Sequence, residues 1–192
     1  MSERLKTLAG PVPPKAEPPT AKTHRDNIHS RLGILQAHLL PLMANAMITN
    51  MTWDEGLSEL HALMPCCSGI SDRNKLSPGA IYTCAKKIGI DIPFTKIQEY
   101  ESLDDDDLAR FVVPEKCLDA RRFVVMSDIS YCGKGPFLST GVPLGSFIEY
   151  HSAQYHQMLF DDDVIILFPD EKVIAMYRHE GWYAAADCSG GV

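Results

Sequence analysis

A chain of 192 residues, 45% hydrophobic and 22% charged, is long enough to bury one sizeable core without disulfide or metal staples. Its net charge of -7 argues against a protein that grips nucleic acid through bulk charge, because phosphate neutralisation dominates such binding. No stretch approaches the roughly 20 apolar residues of a membrane span, and Met1–Gly10 lacks the apolar run of a signal peptide. The expectation is therefore a cytoplasmic protein with reduced thiols and no membrane contact.

Residues 1–24 carry Pro11, Pro13, Pro14, Pro18 and Pro19 and few large apolar side chains, which reads as a disordered, proline-rich tail. Its four basic residues outnumber its two acidic ones, a net of +2 that leaves -9 for the rest. Residues 25–192 read as a single α+β domain, with a helical half over 25–112 and a sheet-containing half over 113–192. From Asp26, Ile28, Leu32, Leu35, Leu39 and Leu42 recur at helical spacing, with Pro41 as a kink. Thr52 and Glu55 form a capping box that opens a helix carrying Trp53, Leu57, Leu60 and Met64 on one face, and Pro65 ends it. Ser77 and Pro78 start another helix, which Gly89 closes. Ile90–Pro93 is a candidate extended piece, and Ser102 followed by acids is a candidate helix start.

Arg122–Met126 reads as a strand. The segment 132–145, punctuated by Gly133, Gly135, Pro136, Gly141, Pro143 and Gly145, reads as a long glycine-rich loop. Ser146 and Glu149 predict a second capping box and a helix to about Phe160. The last element is the plainest. Val164–Phe168 and Val173–Arg178 flank the linker Pro169–Lys172, a C-terminal β-hairpin whose first strand is apolar throughout and so buried on both faces. Gly181–Tyr183 begins a further strand. The whole reads as N-terminal helices packed on a mostly antiparallel sheet.

Chemistry is harder to find. Cys132 in the glycine-rich loop, with His151, His156 or His179, would make a thiol–imidazole enzyme, but no local signature accompanies them. His61, Cys66 and Cys67 lie close in sequence, yet adjacent cysteines rarely share one ion and no second ligand pair recurs, so no metal or other cofactor is implied. The helices within 53–88 would serve a DNA-binding regulator, but a 13-residue linker from Pro65 to Ser77 is too long for a helix-turn-helix. The second of those helices also lacks Arg or Asn for base edges.

Two acidic clusters remain: Asp104, Asp105, Asp106 and Asp107, and Asp161, Asp162 and Asp163. Adjoining in the fold, they would form one negative face that steers a basic partner. The expectation is a non-enzymatic binding or regulatory protein of the inhibitor, immunity, chaperone or mobile-element accessory kind, recognising a basic protein through those acids.

Overall fold

The computed structural model describes residues 47–190, so the proline-rich tail and the stripe from Ile28 to Leu42 lie outside it. Among the described residues, seven strands form one antiparallel sheet: β1 Ile48–Asn50, β2 Thr95–Lys96, β3 Arg122–Met126, β4 Phe137–Thr140, β5 Val164–Phe168, β6 Val173–Arg178 and β7 Trp182–Asp187. Their order across the sheet is β1-β4-β3-β5-β6-β7-β2. The expected α+β architecture, with its C-terminal hairpin, is borne out: Phe168 pairs with Val173 across Pro169–Lys172, and β7 extends the hairpin into a meander. Both edges of the sheet, β1 and β2, come from the half of the chain that reads as helical.

Among the described residues, five α-helices cover the two faces: α1 Trp53–Leu63, α2 Pro78–Lys87, α3 Asp105–Val112, α4 Glu115–Leu118 and α5 Leu144–Tyr155. Successive strand residues point to opposite faces, and the two cores follow that alternation. Phe123, Val125, Phe137, Val164, Ile166, Phe168, Ala175 and Tyr177 meet α3, α4 and α5. Val124, Met126, Ile165, Leu167, Ile174 and Met176 meet α1 and α2. All five residues of β5 are buried because helices sit above and below it. Each large apolar side chain enclosed this way contributes about 1.5–3 kcal/mol relative to exposure.

Local chemistry sets the helix ends. The Thr52 side chain accepts the Glu55 amide while the Glu55 carboxylate accepts the Thr52 amide, so the predicted box is present. Ser77 caps α2 by accepting the Ala80 amide at 3.1 Å, with Pro78 in the first turn.

Four expectations are corrected. The glycine-rich loop contains β4, an inner strand paired to both β1 and β3. Gly135 makes that possible: it has φ +75°, and a Cβ there would lie 2.2 Å from the Met51 carbonyl oxygen. The second capping box is absent, because α5 starts at Leu144 behind Pro143, and it ends at Tyr155, where His156 turns left-handed. The extended piece near Ile90 lies instead at Thr95–Lys96. Asp104, rather than Ser102, caps α3, accepting the Asp107 amide at 2.9 Å.

Candidate partner-binding surface

Antiparallel pairing brings alternate strand ends together. Met126 at the end of β3 lies opposite Ile165, and Val164 at the start of β5 lies opposite Tyr177 near the end of β6. The residues just beyond these positions therefore gather at one end of the sheet: Asp128 after β3, Asp162 and Asp163 before β5, His179 and Glu180 after β6. Two shallow hollows open there. One, of about 260 Å³, is bounded by Ser77 and Pro78 at the start of α2 and by Asp128, Tyr131, Asp162 and Asp163. The other, of about 280 Å³, is bounded by Tyr100, Glu101, Met158, Asp161 and Tyr177. His179 borders both.

The carboxylates do different jobs. Asp105 is 6% exposed, and its two oxygens accept the Leu159 amide at 2.7 Å and the Phe160 amide at 3.0 Å. Burial pushes its pKa up, the two amide bonds opposing. This is a correction to its expected place on the surface, since a carboxylate this buried, with a backbone amide on each oxygen, is not presented to a partner. It has the further effect of tying the segment that holds Asp104–Asp107 to the segment that leads into Asp161–Asp163. The two acidic clusters thus adjoin.

Asp104 caps its helix, Asp106 is exposed, and Asp107 lies 3.6 Å from Arg110 in a solvated pair. Asp163 accepts both the backbone amide of His179 at 3.1 Å and its ring at 2.9 Å, which raises the His179 pKa. Asp161 and Asp162 are exposed, and Asp161 accepts the Met158 amide at 3.2 Å. Burial and then the Asp128 carboxylate push the Asp162 pKa up. Carboxylates crowded at one edge of a fold are a source of repulsion that a bound cation relieves.

The thiol–imidazole site is not assembled. Cys132 is exposed, and its thiol donates to an Asp128 carboxylate oxygen at 3.8 Å. Among the described residues, no hydrogen bond joins Cys132 to a histidine. His151 is 1% exposed, its ring packed among Phe137, Phe147 and Tyr155. His156 is the left-handed residue that ends α5. His179 is committed to Asp163 and Glu180.

The helix pair within 53–88 is likewise occupied by packing. Leu57, Leu60, Ile81 and Ala85 all face the sheet, and the linker between the helices folds into two short 3-10 turns. His61 meets the Ile70 carbonyl at 3.1 Å. Among the described residues, no group of three or more His, Cys, Asp or Glu side chains is placed to hold a metal ion.

Sequence reasoning missed Asp128, Tyr131 and Glu180 as members of this surface. The one available signal was that acids stand immediately outside β3, β5 and β6, and it becomes useful only once strand order is known. Comparisons with protein-family models, with curated proteins and with solved structures found no match.

Proposed function

We propose that the protein is a non-enzymatic binding module that captures a basic protein partner through the acidic end of its sheet. The observation that carries this reading is the Asp105 carboxylate bonded to the Leu159 and Phe160 amides. Through it, two clusters far apart in sequence contribute to one negative surface, continued by Asp128. Such a surface accelerates encounter with an oppositely charged partner and disfavours like-charged ones. Exposed charge pairs on it add little to folding stability, so the residues are free to serve recognition.

The test is a double charge reversal, Asp106→Lys and Asp162→Lys, which spares the buried Asp105, the capping Asp104, Asp161, which accepts the Met158 amide, and the paired Asp163. Tagged wild-type and variant proteins are compared as baits in host lysate at low and moderate salt, with circular dichroism confirming that both are folded. A stoichiometric basic protein, held by the wild type, released by salt and lost in the variant, is the expected result. A partner captured equally by both, or capture of nucleic acid in its place, overturns the reading.

A further inference from the structure

His179 is the side chain that both hollows share, and charges from several segments face it. Asp163, at the entry to β5, accepts its backbone amide at 3.1 Å and its ring Nδ1 at 2.9 Å. That pair of bonds orients the imidazole while leaving its side chain 55% exposed. Glu180 stands 3.5 Å from Nε2, but Arg178 approaches the same carboxylate at 3.1 Å and Lys96 donates to the Glu180 backbone carbonyl. These two permanent cations are thus engaged with Glu180, and Asp163 is left to His179. Asp128, Asp162 and the Tyr131 phenol border one hollow with the ring; Glu101, Asp161 and the Tyr100 phenol border the other. Burial pushes both phenols above their ordinary range, so among these groups His179 is the one that changes charge near neutral pH.

We propose, resting on the partner-binding reading above, that His179 gates the acidic surface by its own charge. Neutral, the ring leaves the carboxylates around it open to a basic side chain of the partner. Protonated, it takes Asp163 as its counterion and stands as a cation where the two hollows meet, so a Lys or Arg entering either one meets a like charge. The bond to Asp163 raises the His179 pKa, which brings the change of charge closer to neutrality. The gate is therefore open in mild alkali and closes as the pH falls through the raised value. The coupling runs both ways: protonation weakens capture of the partner, and a bound partner lowers the affinity of the ring for its proton. One like unit charge at contact distance in a watery surface weakens binding about fivefold.

The experiment titrates the full chain with an oligolysine peptide in a calorimeter at low ionic strength, at about pH 8.5 and about pH 6, where the lysines stay charged throughout. Wild type, His179→Gln, His179→Lys and the Asp106→Lys, Asp162→Lys protein are compared, each checked for folding by circular dichroism. Wild-type affinity should fall about fivefold between the two pH values. His179→Gln should bind tightly at both and His179→Lys weakly at both. On the wild type alone, the His179 ring resonances followed by NMR should titrate at lower pH when the peptide is bound. An equal fall in wild type and His179→Gln, no fall in the wild type, or a His179 titration that the peptide does not move overturns the gate and leaves the partner-binding reading standing. No binding at either pH, or binding that survives the Asp106→Lys, Asp162→Lys reversal, overturns both.

Discussion

The two faces of the sheet are built from the same strands and differ in kind. Towards α3, α4 and α5 the core is aromatic: Phe123, Phe137, Phe147, Phe160, Phe168 and Tyr177 are all buried there. Phe123 touches Phe147 edge-on at 5.8 Å between centroids, and Phe160 touches Tyr177 at 5.3 Å. Towards α1 and α2 it is aliphatic and sulfur-rich, with Met64, Cys67, Met126 and Met176 among Leu, Ile and Ala side chains. Aromatic rings interlock in a few geometries, whereas thioethers adapt to irregular gaps. One face should therefore resist substitution, and the other should absorb it.

The largest expected effect breaks the aromatic face. Phe123→Ala removes a ring packed against both Phe147 and Phe168 and should cost about 3–5 kcal/mol in urea unfolding. On the opposite face, Met176→Leu, a nearly volume-conserving change at an equally buried site, should cost less than about 1.5 kcal/mol. Equal losses from the two would end the distinction. Next in size is Asp105→Ala, which strands the Leu159 and Phe160 amides beside the aromatic face and should cost about 1–3 kcal/mol. It should also loosen the acidic surface, visible as faster amide exchange at those two residues. Thr52→Ala, which removes the α1 cap on the aliphatic side, should cost about 1 kcal/mol.

The smallest effects are two titrations of opposite sign. Burial lowers the His151 pKa, the Gln157 backbone and then the Asp161 charge opposing, so the unfolded chain takes up a proton that the folded one refuses. The stability tied to His151 is present above about pH 6.5 and is lost as the pH falls from there towards the lowered folded value. His151→Phe should flatten the melting temperature over that interval and extend the aromatic cluster. The His179 pKa is raised by Asp163, so its contribution is present below about pH 6.5 and lost as the pH rises through the raised folded value. His179→Gln should remove that dependence, and salt should screen it in the wild type because the pair is exposed.

What the sequence made legible were the elements whose signals are local. The Thr52 and Ser77 caps, the Arg122–Met126 strand and the C-terminal hairpin depend on neighbours a few residues away. β4 was hidden because Ser139, a polar residue, points inward and donates a hydrogen bond to the Val142 carbonyl, spoiling the alternation, while glycine and proline bracket the strand. β2 is two residues long and exists only because β7 lies beside it. The acidic surface was legible in its membership but not in its division of labour. Nothing local distinguishes Asp105 from Asp106, since burial of the first depends on where residues 159 and 160 arrive.

The sheet's edges also set an order of assembly. Ile48 pairs with Ser139 and Thr95 with Tyr183, so both early strands wait for late ones, while β5, β6 and β7 follow one another directly. Contacts between distant segments form slowly, because a long loop must close before they give anything back. The meander, whose three strands follow one another directly, is the natural nucleus. β1 and β2 therefore join the sheet only after the strands they pair with have formed.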